Sequence, residues 1–333
     1  MIALSDRPAV LAAIDRARSV SLSAYILPVS VTERLAAAAR RNAHVELALA
    51  RNPVGDTPAE RRYLAQANRD AVETVRRAGG IATLVSPRDP LHLKAALIDD
   101  RTAYLDDRNW SDDGPQTILI DDDPGDVAIV RDALARRPSG NEHLRTVKPE
   151  SLALERHVVG QAGEAPLDVE SESFGIGPIY DALEQRAAAR GVTRLLICDR
   201  ELGEAQRRAR RAGPPPVEIR ALDQLVLDGV DVRVTPAGEK MALGGAGAWI
   251  GSSNATRDWG STARQLDWGM TVSDPAIAAA LRARFQQTWD SSLPYAGGAA
   301  RSNSARALAS VRATTVATST PSTSATTRAV SAT

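Results

Sequence analysis

The sequence predicts an α/β fold built from two similar halves. Apolar segments of strand length alternate with amphipathic segments of helix length along most of the chain, which indicates a sheet core covered by helices. Short stretches also recur in the same order in both halves, as expected for a duplicated domain. The matched pairs are Val85-Ser-Pro87 with Val234-Thr-Pro236, Lys94-Ala-Ala-Leu97 with Lys240-Met-Ala-Leu243, and Ala103-Tyr-Leu105 with Ala248-Trp-Ile250.

The first half, residues 1–136, opens with a helix whose apolar residues Val10, Leu11 and Ile14 share one face. A long polar helix ends at Gly79-Gly80, since glycine favours helix termination. Strands are assigned to the apolar runs between helices. The predicted helices cover 9–17, 31–41, 58–78 and 127–135, and the predicted strands cover 20–27, 45–50, 81–85 and 117–120.

The second half, residues 167–295, follows a polar linker at 137–166. Its helix over 202–212 is broken by Pro214-Pro-Pro216, because proline cannot continue a helix. The other predicted helices cover 179–188, 222–227 and 275–289, and the strands cover 192–198, 217–220, 230–234 and 270–272. Residues 296–333 are almost entirely alanine, serine, threonine and arginine, so we expect a disordered tail.

Composition excludes several classes of protein. The 333 residues carry 41 basic and 41 acidic side chains, so no overall field attracts nucleic acid, and aromatic residues are only 4%. The single cysteine, Cys198, lies in an apolar run, which predicts a buried thiol and excludes a disulfide or cysteine-based zinc site within the chain. No apolar stretch approaches the roughly 20 residues that span a bilayer, and no signal peptide is evident, so we expect a cytoplasmic protein.

The segment from His92 to Asn109 contains the most informative chemistry. His92 and Lys94 are two residues apart, so on a strand their side chains share one face. An imidazole can attack or accept a proton near neutral pH, and an ammonium attracts anions. Asp99 is suited to orient an imidazole, and Asn109 to donate to a negatively charged oxygen. Together these four groups suit attack on a phosphodiester.

The pattern His92-x-Lys94-x4-Asp99, with Asn109 ten residues further on, resembles the signature of the phospholipase D superfamily. That family usually has its asparagine within Gly-Ser-x-Asn, whereas the segment here reads Asp106-Asp-Arg-Asn109, so the spacing matches and the Gly-Ser pair does not. The resemblance implies a duplicated α/β fold, with two mixed-sheet halves packed by pseudo-twofold symmetry around one site. It also implies a reaction that needs neither a metal nor another cofactor.

In that superfamily both halves carry the motif. One histidine attacks phosphorus to form a phosphohistidine, and the other protonates the leaving oxygen and later activates water. The lysines and asparagines bind the phosphate oxygens, so the displacement is divided into two easier steps. The resemblance therefore implies that His92 is the nucleophile, that Lys94 and Asn109 bind phosphate, and that Asp99 orients an imidazole.

The second half keeps only part of this pattern. It retains Lys240, but it has no histidine before the lysine, and Gly245 occupies the aspartate position. The stretch Gly251-Ser252-Ser253-Asn254 preserves the Gly-Ser-x-Asn form, and Gln265-Leu-Asp267 resembles the family's later Asn-x-Glu. We therefore predict a phosphate cradle with one nucleophile, formed by His92, Lys94, Asn109, Lys240, Ser252 and Asn254.

The missing histidine leaves two interpretations open. Removing a general acid typically lowers a rate by ~10²–10⁴-fold, and Glu239, His143 or His157 could replace it. An inactive protein that binds a phosphorylated ligand or a partner protein would tolerate the same loss. The acidic residues Asp106, Asp107 and Asp121–Asp123 lack ligand spacing, so we interpret them as solvated loops and not as a metal site.

The sequence thus favours a phospholipase D-like phosphodiesterase that acts through a phosphohistidine at His92, with a phospholipid as the favoured substrate. A nuclease is less favoured because the net charge is zero. A monomer is expected, since the second half already occupies the face that single-motif relatives use to dimerise. The alternative is a catalytically inactive member of the same family.

Overall fold

The computed structural model describes residues 1–55, 57–111, 116–200, 202–203, 217–245, 247–256 and 263–297. In the first half the strands are β1 (Ile2–Ser5), β2 (Ser19–Ala24), β3 (His44–Ala50), β4 (Ile81–Val85), β5 (Ala95–Ile98), β6 (Thr102–Asp106) and β7 (Ile118–Asp121). The helices of this half are α1 (Arg7–Arg16), α2 (Val29–Arg40), α3 (Pro58–Arg77) and α4 (Pro124–Leu134).

The second half contains strands β8 (Leu144–Val147), β9 (Leu167–Ser171), β10 (Thr193–Cys198), β11 (Asp231–Thr235), β12 (Met241–Leu243), β13 (Ala248–Gly251), β14 (Leu266–Val272) and β15 (Leu293–Pro294). Its described helices are α5 (Lys148–Gln161), α6 (Pro178–Ala188), α7 (Val217–Leu227) and α8 (Pro275–Ser291).

Four helices begin with the same local chemistry. Asp6, Thr57, Asp123 and Asp274 each precede a helix, and each side chain accepts a hydrogen bond from a backbone N–H of the first turn. A proline follows within two residues in every case, where its missing N–H removes no helical hydrogen bond. The predicted starts at 58 and 275 agree with α3 and α8, whereas the helices predicted from 9 and 127 begin earlier, at Arg7 and Pro124.

The two sheets have the same topology. The first sheet runs β1-β7-β6-β5-β2-β3-β4, and the second, read from its other end, runs β8-β14-β13-β12-β9-β10-β11-β15. Each strand of the first sheet therefore corresponds to the strand numbered seven higher in the second sheet, from β1 with β8 to β7 with β14. The second sheet has one further strand, β15, at its edge. In each half three strands are parallel and the others pair antiparallel. The predicted α/β fold with two mixed sheets is therefore confirmed.

The main differences between the sequence predictions and the structure lie between residues 137 and 220. The linker assigned to 137–166 instead contains β8, which pairs with β14, and α5, which buries Leu152, Val158 and Val159. Strand β9 was not predicted, because its sequence alternates aspartate and glutamate with apolar residues although all five are buried. The short strand expected at 217–220 is the first turn of α7, since Ile219, Leu222 and Leu225 lie one helical turn apart and are buried.

The two halves share one hydrophobic core. Leu93 and Leu105 of the first half belong to the same buried cluster as Met241, Ile250 and Trp268 of the second. Backbone pairing also crosses the junction, because the Leu91 and Leu266 segments form a parallel bridge. The region around His92 is therefore held by both halves.

Three other sequence expectations concern Cys198, membrane-spanning segments and the tail. Cys198 is buried, as predicted. None of the helices in the described ranges has the length and apolar character required to cross a membrane. The predicted disordered tail at 296–333 lies outside the described residues except for its first two positions.

Candidate functional site

His92 is fixed by the second half of the chain. Its backbone N–H donates to the Leu266 carbonyl at 2.9 Å, and its Nδ1 lies 3.0 Å from Oδ1 of Asp267. The side chain of Asp267 is 1% exposed and that of His92 is 13% exposed. Because a carboxylate accepts, the Nδ1 atom carries the proton, and the lone pair of the imidazole lies on Nε2. The result is an oriented imidazole with a nucleophilic nitrogen.

Ser252 and Trp268 position the Asp267 carboxylate. The Ser252 hydroxyl donates to Oδ1 of Asp267 and accepts a hydrogen bond from the backbone N–H of Trp268 at 3.0 Å. Burial alone would raise the pKa of Asp267, but His92, Lys94 and the Ser252 hydroxyl hold it below its ordinary value. The structure thus places Ser252, predicted to bind phosphate, against the carboxylate that orients the imidazole.

Tyr25 packs on the imidazole from the first half. The rings of Tyr25 and His92 meet edge to face, with centroids 5.1 Å apart and an interplanar angle of 66°. The Lys94 ammonium lies 5.8 Å from the centroid of the same tyrosine ring. Tyr25 follows β2 directly, and nothing in its local sequence pointed to the site.

Lys94 is a buried ammonium with a single hydrogen bond among the described residues. Its side chain is 1% exposed, and Nζ donates to the His92 carbonyl at 2.8 Å. Burial, together with the nearby charge of Lys240, lowers the pKa of Lys94 to about 7 even though Asp267 acts in the opposite direction. Burial and the charge of Lys94 also lower the pKa of His92 below 6.5, against the opposing effect of Asp267. An anion bound here would stabilise the charged form of Lys94.

Lys240, from the second half, already has an acidic partner. Its Nζ lies 2.9 Å from Oε2 of Glu172 and donates to the carbonyls of Asp107 at 3.0 Å and Gly238 at 3.3 Å. Glu172 and Asp107 raise the pKa of Lys240 above its ordinary value despite burial. Glu172 was missed by sequence reasoning because the strand before it, β9, was not predicted.

Asp99 lies away from the imidazole, contrary to its predicted role. Its Oδ1 accepts hydrogen bonds from the backbone N–H groups of Arg18 at 2.7 Å and Ser19 at 2.9 Å. Lys94 and Asp99 are at opposite ends of β5, and five residues of strand span roughly 16 Å. The imidazole is oriented by Asp267 instead.

The two predicted asparagines lie in loops beside the site. Oδ1 of Asn109 accepts a hydrogen bond from the backbone N–H of Ile26 at 3.3 Å, next to Tyr25. Oδ1 of Asn254 is buried and has no hydrogen-bond partner among the described residues. The backbone N–H after Asn254, that of Ala255, donates to the Ser171 hydroxyl beside Glu172 at 3.1 Å. The loop that carries Asn254 is thus held against the residue that precedes Glu172.

Asp106 and Asp107 are fully buried, which corrects their interpretation as solvated residues. The Asp106 carboxylate accepts from the Trp110 backbone N–H at 2.6 Å, and Asp107 accepts from the N–H groups of Thr117 at 2.8 Å and Lys240 at 3.2 Å. Burial raises the pKa of Asp106 to about 6 and that of Asp107 well above its ordinary value. The Asp107 carboxylate and the backbone carbonyl of Asp106, which accepts from the Trp268 indole at 2.8 Å, therefore join the two halves.

Of the three groups considered as a replacement acid, Glu239 and His143 have other partners, and His157 lines a separate cavity. Glu239 accepts hydrogen bonds from Thr117 at 2.8 Å and Arg284 at 3.0 Å. His143 lies 2.7 Å from Asp126, and with His157 it lines a separate cavity of about 820 Å³. Within the described ranges no histidine, cysteine, aspartate and glutamate side chains form a group of three or more that could hold a metal ion.

Comparison with known proteins supports the fold. A scan of protein-family models finds no match, and a search of curated proteins finds no relative. Phosphatidylserine synthase from Haemophilus influenzae is similar in structure at a TM-score of 0.59 and 10% identity, covering 95% of this chain and 94% of its own. Polyphosphate kinase from Porphyromonas gingivalis matches at a TM-score of 0.57 and 15% identity, covering 86% of this chain. The match covers 50% of the kinase, so this chain spans only half of its length.

Proposed function

Since the chain has the duplicated fold of the phospholipase D superfamily, we propose that it hydrolyses a phosphodiester through a covalent phosphohistidine at His92. The observation that carries this proposal is the contact between His92 Nδ1 and Asp267 Oδ1, which joins the two halves. It directs the lone pair of Nε2 away from the carboxylate, and the Lys94 ammonium donates to the backbone carbonyl of the same histidine. A nucleophile and an anion-binding cation are therefore adjacent.

Four side chains are candidates to hold the phosphate. The Lys94 ammonium, with one protein hydrogen bond, has donors available for a phosphate oxygen. Lys240 supplies a second positive charge, which it shares with Glu172. Asn109, which contacts the residue after Tyr25, and Asn254, whose loop contacts the residue before Glu172, are the other two candidates. Ser252 contacts Asp267 and is not among the four. In the first step Nε2 of His92 attacks phosphorus and the bond to the leaving oxygen breaks.

We favour a phospholipid as substrate over nucleic acid, because the chain has a formal net charge of zero and few aromatic residues. The test presents phosphatidylcholine vesicles and single-stranded DNA to the same preparation. Release of choline without DNA cleavage is expected. Cleavage of DNA with no release of choline would contradict the substrate class.

The dependence of kcat/KM on pH is expected to form a narrow bell near neutrality. His92 must be neutral to attack, and since its pKa lies below 6.5, kcat/KM rises with pH until the imidazole has lost its proton. Lys94 must be protonated to attract an anion, and since its pKa is about 7, kcat/KM falls as the pH rises above that value. The profile of kcat/KM, measured with bis-nitrophenyl phosphate, reports both groups in the free enzyme.

Lys94→Met provides the control for this profile. Its residual activity is expected to be low and to lack the alkaline limb, because the titrating ammonium is gone. A wild-type kcat/KM that stays constant well above neutral pH would show that Lys94 does not bind the substrate in its charged form.

A catalytically inactive binding protein is the second candidate, favoured by one observation. Gly238 lies where the family has its second histidine, and Lys240 is neutralised by Glu172. Under this alternative the wild type turns over no phosphodiester, yet inorganic phosphate raises its Tm. The vesicle and bis-nitrophenyl phosphate assays distinguish the two candidates.

A further inference from the structure

Gly238 occupies the position in the second half that His92 occupies in the first. It lies two residues before Lys240, as His92 lies two before Lys94. Sheet register extends the equivalence, because Ala95 pairs with Ser23 and Met241 pairs with Glu170. Counting two residues onward along β2 and β9 makes Tyr25 and Glu172 equivalent. Tyr25 packs on the imidazole of the first half, so Glu172 should lie over Gly238 in the second.

The space beside Gly238 is filled by Glu172. A Cβ atom added to Gly238 would lie 3.2 Å from Cγ and 3.3 Å from Cβ of Glu172. Those contacts are tighter than ordinary van der Waals separation. A side chain at position 238 would therefore have to displace that of Glu172, and the carboxylate lies in the room that a second imidazole would use.

The carboxylate support of a second imidazole is also missing. Asp106 pairs with Ile118 and Gly251 pairs with Gly269, so Gln116 in the first half is equivalent to Asp267 in the second. An amide at that position cannot stabilise an imidazolium as a carboxylate does. The second half therefore has no histidine at this position, the first half has no carboxylate to support one, and Glu172 is the acidic side chain that lies over Gly238.

The surroundings of Glu172 keep it ionised. Its Oε2 lies 2.9 Å from Lys240 Nζ and its Oε1 lies 3.5 Å from Arg200, while the side chain remains 19% exposed. Burial would raise the pKa of Glu172, but Lys240, with Lys94 and His92, lowers it to about 2. At neutral pH the group is a carboxylate that can accept a proton and is accessible to water.

We propose that Glu172 is the catalytic base that takes the place of the second histidine in hydrolysing the phosphohistidine, an inference that rests on the function proposed above. A water oxygen forms a bond to phosphorus as one of its protons passes to the Glu172 carboxylate. The bond between phosphorus and His92 Nε2 breaks, and its electron pair returns to the imidazole. The phosphate monoester leaves, and Glu172 releases the proton to solvent.

Lys240 links the two stages of this reaction. A phosphoryl oxygen bound to the Lys240 ammonium competes with the Glu172 carboxylate for the same N–H groups. A buried carboxylate that loses part of its ion pair binds a proton more strongly, so Glu172 becomes a better base once the phosphoryl group is present. In the first stage the ionised group has no proton to donate, so leaving groups that depart as stable anions are favoured.

The test uses Glu172→Gln, which keeps the size of the side chain and removes its basicity. With bis-nitrophenyl phosphate, whose nitrophenolate departs without protonation, the variant should release a burst of one nitrophenolate per site. Steady-state turnover should then fall by about 10²-fold or more. Phosphorylated His92 should accumulate in the variant and be detected by mass spectrometry, whereas the wild type should show little.

Two further variants separate catalysis from positioning. Lys240→Gln removes the other member of the ion pair and should slow the burst itself without trapping the phosphohistidine. Glu172→Ala combined with Gly238→His and Gln116→Asp places an imidazole in the vacated space, with a carboxylate to support it, and should restore steady turnover relative to Glu172→Gln. Failure of this triple variant to exceed Glu172→Gln would count against the replacement.

Each adverse result has a distinct meaning. If Glu172→Gln turns over at the wild-type rate while His92→Asn is inactive, the role of Glu172 is wrong and the proposed function stands. If Glu172→Gln loses the burst and the turnover together, Glu172 only positions Lys240, which also overturns the proposal. If the wild type neither releases nitrophenolate nor forms a phosphohistidine, the proposed function fails and the inference fails with it.

Discussion

His92→Asn is expected to abolish phosphodiester turnover, lowering kcat by on the order of 10³-fold or more. The amide keeps much of the shape of the imidazole but cannot form the covalent bond to phosphorus. Nitrophenolate release from bis-nitrophenyl phosphate measures the loss. Because the imidazole is only 13% exposed, thermal melting should accompany the assay, to show that the variant is folded.

His44→Asn is the matched control. His44 begins β3, and its exposed imidazole contacts Glu46 at 3.0 Å. It pairs with Ser19, at the end of β2 that lies beside Asp99, so it is at the opposite end of β5 from Lys94. This variant should retain the activity of the wild type. Full activity of His92→Asn would remove His92 from the reaction and, with it, the proposed function.

Asp267→Asn is expected to lower kcat by about 10²–10⁴-fold with a smaller effect on KM. An amide can present its N–H to Nδ1 of His92, which favours the wrong tautomer and places the proton on the attacking nitrogen. It also cannot stabilise the positive charge that forms on the ring as Nε2 bonds to phosphorus. The separate measurement of kcat and KM is the readout.

Asp99→Asn tests the competing assignment. An asparagine retains a side-chain oxygen for the N–H groups of Arg18 and Ser19, and it tolerates the positive φ of 53° at this position. We therefore expect wild-type kcat. If Asp99→Asn loses activity and Asp267→Asn does not, the sequence assignment of Asp99 is right and the orientation of the imidazole by Asp267 is irrelevant to catalysis.

The fold was largely predictable because its signals are local. Strand β4 and the starts of α3 and α8 follow from apolar runs, caps and prolines that are adjacent in the chain. Strand β9 was not predictable, because its buried charged side chains are paired with groups that are distant in the chain. Asp168, for example, is paired with Arg194 through contacts of 2.7 and 2.9 Å.

The candidate site was likewise predictable where its residues are close in the chain, and not where they are brought together by packing. The spacing of two residues predicted that His92 and Lys94 act together, although in the structure both lie just before β5 and not within a strand, and the repeat added Lys240. The partner of the imidazole is 175 residues away in the chain, so its identity depends on how the two halves pack. Glu172 and Tyr25 follow parallel strands of separate sheets, and only the sheet register reveals that they occupy equivalent positions.

The most direct measurement of the central claim is mass spectrometry of His92 after brief incubation with bis-nitrophenyl phosphate and rapid quenching at alkaline pH, which preserves a phosphoramidate bond. The account predicts an acid-labile phosphoryl adduct on the peptide that contains His92, more abundant in Glu172→Gln and absent from His92→Asn. Steady nitrophenolate release by the wild type, with no adduct on His92 even in Glu172→Gln, would contradict it.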